Sequence, residues 1–284
     1  MLAGRAGGGL TSRLVNFRAS FVQFLSAGGH RLEYRQLHPQ QFSGPATELP
    51  PTLVFLHEGL GSVALWKTFP ADVVAATGCP ALVYSRHGYG KSDTRKAPRA
   101  VDYMHREALE VLPEVLDQLH IANPILIGHS DGASIALIYA GSGKHCVRGL
   151  VAMAPHVFVE DMTVASIAEA KTVFCDTDLA VKLGRYHDDV DSTFRGWNDI
   201  WLHPDFRLWN IEACLAPITV PVLLIQGEDD QYGSIAQIKA IERQVSGPVK
   251  TVMLPDCAHA PHLAQKEATV AAVAGFVAGL RKAQ

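Results

Sequence analysis

The segment PILIGHSDGAS (124–134) holds the residues best suited to chemistry in this chain. An apolar run leads straight into Gly128-His129-Ser130-Asp131-Gly132, and a helix-forming stretch follows. In so sharp a strand-to-helix turn, small residues must flank the serine, because a bulky neighbour would clash, and the turn lifts the hydroxyl clear of the sheet. Amides at the start of the following helix point at any anion that forms beside it. Five letters of Gly-x-Ser-x-Gly match often by chance; the strand before and the helix after make this match specific.

A serine hydroxyl is a poor nucleophile until a base takes its proton, and the base must be oriented by an acid. Both are expected past later strands, in the order serine, acid, histidine. The run PVLLIQG (221–227) is followed by Glu228, Asp229 and Asp230. The run VKTVMLP is followed by Asp256 and then Cys257-Ala258-His259-Ala260-Pro261-His262. A third loop, HEGLGS (57–62), follows the apolar run TLVFLH (52–57). HDDVD (187–191) has the composition of a metal site but no fixed ligand spacing, and it reads as a solvated loop with no metal. His156, past a strand end, reads first as a satisfied structural histidine, with reach into the pocket as the alternative.

These residues need a frame. Phe21 to Leu25 and Arg31 to Leu37 are strand-like and flank SAGG, which suggests an opening hairpin, and residues 38–51 read as a loop. TLVFLH, PALVYS (80–85), PILIGH (124–129), VRGLVAMAP (147–155), PVLLIQG and VKTVMLP are continuous apolar runs, the signature of strands buried on both faces. Helices are expected over 103–119, with Met104, Ala108, Leu112, Val115, Leu116 and Leu119 on one face, over 131–141, and over 265–281 through Val270, Val273, Phe276, Val277 and Leu280. The alternation predicts an α/β fold, a mostly parallel central sheet with helices on both faces. Residues 157–217 break the pattern and carry Trp197, Trp201 and Trp209, three of the four tryptophans. An insertion of that length reads as a helical cap over the catalytic end of the sheet. The expected organisation is a flexible leader over 1–19, a core of 20–156 plus 218–284, and the cap.

Composition excludes several classes. With 284 residues, 48% hydrophobic and 19% charged, the chain can bury a core and is not disordered throughout. Lys and Arg number 25 against 28 Asp and Glu, so no basic face for nucleic acid is expected. No uninterrupted apolar run of about 18 residues occurs, which argues against a membrane span. The five cysteines are scattered and form no CxxC pair, which points to a reducing, cytoplasmic setting rather than a disulfide frame or a zinc site. Residues 1–32 carry four arginines and no acid, yet lack the apolar run of a secretory signal. Oligomeric state leaves no trace in the sequence.

From about residue 20 onward, on the turn around Ser130 and the loops named above, the chain resembles the capped, single-domain α/β-hydrolases. The resemblance implies that the acid lies three residues after the glycine ending its strand, which selects Asp230, and that the base lies just before a proline and the last helix, which selects His259. It implies an oxyanion hole made by the amide of Asp131 and by a donor two residues after the histidine of the 57–62 loop, hence Gly59. His57-Glu58 departs from the usual His-Gly there and leaves the donor open between Gly59 and Glu58. YSRHGYGKSD (84–93) resembles a family loop whose work is structural, with Arg86 and His87 as packing or hydrogen-bonding residues. A serine at the turn sets the chain apart from the dehalogenases and epoxide hydrolases of this fold, which use aspartate.

The activity so implied is a cofactor-free serine hydrolase acting on a small molecule, a carboxylic ester or thioester of a small apolar or aromatic acyl group, through an acyl-enzyme. Trp197 and Trp201 would either be ordinary core or wall the acyl pocket, and Glu58 would border it. Asp131 and Glu58 both stand where negative charge develops, which opposes catalysis unless they are screened or turned away. The turn is similar to that of valacyclovir-hydrolase-like enzymes, whose aspartate receives an α-amino group, so an amino-acid ester hydrolase is an alternative; in the other reading Asp131 bonds to backbone and faces away. A carbon–carbon bond hydrolase of ring-cleavage products is a further alternative. A ligand-binding protein on a degenerate scaffold fits poorly with an intact Ser130, Asp230 and His259.

Overall fold

The structure is a computed structural model that describes residues 22–39 and 50–282, so the leader expected over 1–19 lies outside the described residues. Among the described residues eight strands form one sheet: β1 (Gln23–Ala27), β2 (His30–Leu37), β3 (Leu53–Leu56), β4 (Ala81–Tyr84), β5 (Ile125–His129), β6 (Gly149–Met153), β7 (Val222–Gly227) and β8 (Val249–Leu254). Their order is β1-β2-β4-β3-β5-β6-β7-β8. β2 runs antiparallel to β1 and β4, and every later pairing is parallel. Phe21, where the expected hairpin begins, lies outside the described residues. Gly28 and Gly29, at φ 59° and 74°, supply the tight turn, so β1 runs on to Ala27.

The pleat divides the core in two. Val54, Leu56, Leu82, Leu126, Val222 and Leu224 face one layer; Leu53, Phe55, Val83, Ile125, Ile127, Leu223 and Ile225 face the other. Strands with both faces covered must be apolar at every position, which is why they read as runs rather than alternations. The second layer is closed by α1 (Phe69–Thr77) and the C-terminal helix through Val73, Val74, Val273 and Val277. The first is closed by helices between β4 and β6 and by the helix after β7.

The helix expected over 103–119 is built in three pieces, α2 (Tyr103–Arg106), a π-turn (Glu107–Val111) and α3 (Leu112–Gln118). Pro113 accounts for the break: it has no N–H for the carbonyl of Leu109, and its ring would strike that carbonyl in a regular helix. The next helices are α4 (Asp131–Gly141), then α5 (Asp161–Asp176), α6 (Leu179–Leu183) and α7 (Val190–Trp201) between β6 and β7, then α8 (Ile235–Gln244), α9 (Pro261–Ala264) and α10 (Lys266–Lys282). The stretch between β6 and β7 is helical, and a bridge between Phe158 and Asn210 ties its two ends together. Because β3, β5, β7 and β8 are parallel, the loops that follow them open at one edge of the sheet. Those loops carry residues 57–62, Ser130, Asp230 and His259.

Candidate active site

Ser130 sits between β5 and α4 at φ 52° and ψ −119°, outside the relaxed regions for a side-chain-bearing residue. Its N–H donates to the carbonyl of Met153 at 2.9 Å. A Cβ on Gly128 would stand 2.3 Å from the carbonyl oxygen of Gly132, and one on Gly132 would stand 2.0 Å from that of Leu56. Both glycines of the motif are therefore required by backbone meeting backbone.

The hydroxyl of Ser130 is 2.9 Å from Nε2 of His259, and Nδ1 of His259 is 2.8 and 3.0 Å from the two carboxylate oxygens of Asp230. Asp230 also accepts from the amides of Tyr232 (2.9 Å) and Gly233 (3.2 Å). Burial pushes its pKa up, but the His259 hydrogen bond and charge and the Tyr232 amide outweigh that, and the carboxyl lies below the ordinary aspartate value. With Nδ1–H given to a carboxylate, the lone pair of Nε2 faces the serine proton, the arrangement of a general base. Glu228 and Asp229 are exposed. His262 is buried against Trp66, Phe69 and His129, and neither of its ring nitrogens finds a partner.

The two acids beside the serine are answered from within the protein. Asp131, 1% exposed, accepts from the Tyr103 hydroxyl at 2.7 Å and from the Trp201 indole N–H at 3.3 Å, and Arg86 stands 3.7 Å away. Its carboxylate is thus neither bonded to backbone nor open to a substrate amine, and the amino-acid ester alternative loses its recognition group. Glu58 faces Nδ1 of His129 at 3.4 Å, and Nε2 of His129 donates to the carbonyl of His259 at 2.7 Å. Burial raises the Glu58 pKa, but the hydrogen bond and charge of His129 outweigh it, and the carboxylate falls well below its usual range.

The 57–62 loop is fixed by Arg86. Its guanidinium donates to the carbonyls of Glu58 (2.8 Å) and His57 (3.2 Å), and its amide donates to Nε2 of His57 (3.0 Å). Nε2 being an acceptor, Nδ1 of His57 carries the proton and donates to the Glu58 carbonyl at 2.7 Å. Burial, then Arg86, hold the His57 pKa well below its normal value, so the ring is neutral. The Glu58 carbonyl and the Gly59 N–H belong to one trans peptide and point in opposite directions. Pinning the carbonyl on Arg86 and His57 therefore aims the N–H the other way. His87 stacks on His30 at 3.5 Å between ring centroids, the packing role expected of it.

A cavity of about 130 Å³ opens beside Ser130 and His259, bounded by Glu58, Gly59, Leu60, His156, Ile167, Trp197, Trp201 and Tyr232. Both tryptophans reach it from α7. That helix starts on Asp189, which caps it by accepting from the Ser192 amide at 3.0 Å, and it buries Phe194, Trp197, Ile200 and Trp201 on one side. The Trp197 indole lies directly over Gly59, where an added Cβ would stand 2.1 Å from Cδ1. Leu60, Ile167 and Tyr232 carry no sequence signal beyond being apolar or aromatic. Tyr103 and Arg86 act through contacts that no local pattern announces.

Two sequence expectations are corrected. His187 is not in a solvated loop: it is 4% exposed, accepts from the Gly90 amide and donates to the Leu60 carbonyl, both at 2.9 Å. His156 is buried but not satisfied, since its Nδ1 has no partner. Among the described residues the cysteines are all free, no cluster of three His, Cys, Asp or Glu is arranged for a metal, and no helix is long and apolar enough to cross a membrane.

The profile of the Alpha/beta hydrolase family matches residues 53–273. In sequence the chain is similar to the sn-1-specific diacylglycerol lipase ABHD11 of Danio rerio, 33% identical over 110 residues that cover 39% of this chain and 32% of the lipase. It is also similar to the proline iminopeptidase of Saccharolobus solfataricus, 24% identical over 267 residues that cover 79% of this chain and 84% of the peptidase. The aligned stretch spans only about a third of the lipase, and 39% of the Bacillus subtilis protein YqjL. Among solved structures, the proline iminopeptidase of Mycobacterium smegmatis superposes with a TM-score of 0.71 at 18% identity, covering 92% of this chain and 99% of the other. The enol-lactonase of Burkholderia xenovorans LB400 superposes at 0.69 and 18%, covering 90% and 100%. Identities this low speak for the fold alone.

Proposed function

Since the chain belongs to the alpha/beta hydrolase family, we propose that it is a serine hydrolase that cleaves carboxylic esters or thioesters of small, largely apolar acyl groups through an acyl-enzyme. The observation that carries this reading is the unbroken contact from Ser130 through His259 to Asp230, at 2.9 and 2.8 Å. As the hydroxyl oxygen attacks the carbonyl carbon, its proton passes to Nε2 of His259, and Asp230 stabilises the imidazolium. The amides of Gly59 and Asp131 hold the oxyanion; neither donates to another backbone group among the described residues. Collapse expels the alcohol or thiol, which takes the proton from His259. Water, deprotonated by the same ring, then releases the acid and restores Ser130. In this reading the segment 157–217 is a cap whose tryptophans wall the acyl pocket, and the unpaired thiols suit a reducing, cytoplasmic setting.

The test is labelling with a fluorophosphonate, followed by p-nitrophenyl esters of graded acyl length. The wild type should label and turn over short esters. Ser130→Ala should lose the label and at least about 10⁴-fold in rate. Labelling that survives Ser130→Ala refutes the assignment of the nucleophile. Turnover of a coloured dienone with none of the esters would move the activity to carbon–carbon cleavage.

A further inference from the structure

The wall of the cavity beside Ser130 includes a buried imidazole for which the proposed chemistry has no use. His156 is 2% exposed and forms part of the cavity wall, its ring 5.7 Å from that of His259 and 5.1 Å from that of Trp201. The Cε1–Nδ1 edge faces Gly233, where a Cβ would meet those atoms at 3.3 and 3.6 Å. Nδ1 is sealed there without a partner. Among the described residues Nε2 makes no hydrogen bond, yet it is not among the sealed, unpartnered atoms, which leaves it facing the cavity.

The chemistry of the ring follows from this placement. Burial above all, and then the neighbouring His259, push its pKa down to about 3, so it is neutral at physiological pH and carries a single proton. A buried N–H without an acceptor is worse than a buried lone pair without a donor. The proton therefore belongs on Nε2, directed into the cavity, and the lone pair on the sealed Nδ1. The remaining wall near it is Ile167, Trp197, Trp201 and Tyr232. A plain hydrocarbon chain would leave this donor desolvated and unpaired each time it bound.

We propose that His156 is a specificity-determining residue of the acyl pocket, donating from Nε2 to an oxygen carried on the acyl chain. The preferred substrates are then esters or thioesters of short acyl groups bearing an ether, keto or hydroxyl oxygen rather than purely hydrocarbon ones. This rests on the ester-hydrolase reading above and narrows it.

The experiment uses two isosteric pairs of p-nitrophenyl esters, butyrate with methoxyacetate and pentanoate with 3-methoxypropanoate. The ratio of kcat/KM within a pair, wild type over variant, cancels the intrinsic reactivity of each ester. His156→Leu should lower the oxygen-to-carbon ratio about five-fold in at least one pair, the effect of one neutral hydrogen bond. His156→Gln, which keeps an N–H donor, should hold that ratio within about two-fold of wild type. His156→Met replaces the leucine variant if that one fails to label with fluorophosphonate and so has lost its fold. Ratios that do not move in His156→Leu, or that fall equally in Leu and Gln, overturn the inference. So does a dependence on His156 that appears only when the oxygen is moved to the alcohol, as in butyl against 2-methoxyethyl butyrate. Turnover of plain esters with unmoved ratios removes this inference alone, whereas a wild type with no ester turnover removes the ester reading as well.

Discussion

Substitution of Gly59 by alanine is the sharpest probe of the oxyanion region. Gly59 is not among the residues at positive φ, so its backbone accepts alanine, and the obstacle is the indole of Trp197. The new methyl would stand 2.1, 2.2 and 3.0 Å from Cδ1, Nε1 and Cγ, against about 3.5 Å for an ordinary carbon contact. One group must therefore retreat by roughly 1 Å or more. Trp197 packs edge-on against Phe194, which itself stacks on Phe174 at 3.8 Å, so the indole resists and the 57–62 loop yields. A displaced donor costs about as much as a missing one, on the order of 10²–10³ in rate. Gly59→Ala should lower kcat/KM for p-nitrophenyl butyrate about 100-fold. The double variant Gly59→Ala/Trp197→Ala should recover to within about five-fold of Trp197→Ala. Removing the indole costs on the order of 3–5 kcal/mol of stability, so urea unfolding of each variant accompanies the kinetics. A single variant within two-fold of wild type, or a double variant as slow as the single, would refute the steric argument.

Arg86→Met should loosen the Glu58 carbonyl and strand Asp131 without its cation; a fall in thermal midpoint together with a loss of kcat, while KM holds, is the expected pattern, and full activity would show that the loop aims itself. Because Asp131 is already engaged by Tyr103, Trp201 and Arg86, free-amine and N-acylated forms of one amino-acid aryl ester should be hydrolysed with comparable kcat/KM, and a preference of more than about ten-fold for the free amine would reinstate amine recognition. His156 and His262, held at about 3 by burial, refuse protons that the unfolded chain takes up below about 6.5, so stability should fall as pH drops from 6.5, by about 2 kcal/mol for each at pH 5. Urea unfolding at pH 8 and pH 5 measures this, and His262→Phe should reduce the loss by its own share, about 2 kcal/mol, leaving the shares of His156 and of His57 and His87, which burial also depresses; an unaltered slope would contradict the assignment.

The strands were legible because a strand covered on both faces must be apolar throughout, and the turn around Ser130 because its glycines answer to backbone contacts fixed by the fold. The choice of Asp230 over Glu228 and Asp229 came only through family likeness; in the structure Asp230 is the buried one of the three, and its carboxylate lies on Nδ1 of His259. Helix α1 has no distinct apolar face to betray it, whereas α8 does carry one, Ile235, Ile238 and Ile241 at helical spacing among polar residues. The π-turn had a signal in Pro113, a residue that a purely periodic reading passes over. The partners of Asp131 had none: Tyr103 lies 28 residues before it and Trp201 lies 70 after, and a side-chain bond across such gaps leaves no spacing rule in the letters. The same distance hid His187, whose acidic neighbours suggested solvent while its ring was buried.

The indole of Trp201 on Asp131 and the imidazole of His187 on Leu60 and Gly90 join the segment over the pocket to both loops that would hold the oxyanion, and Thr193 adds a bond to the Gly88 carbonyl at 2.7 Å. If this segment is the cap proposed above, opening it means breaking these bonds together. Traffic of substrate and product then falls to the breathing of single side chains, which sets an upper limit on acyl girth before affinity is ever consulted. Turnover of a short ester should accordingly be indifferent to added sucrose or glycerol, and a kcat falling in proportion to solvent viscosity would reveal a hinge that these bonds forbid.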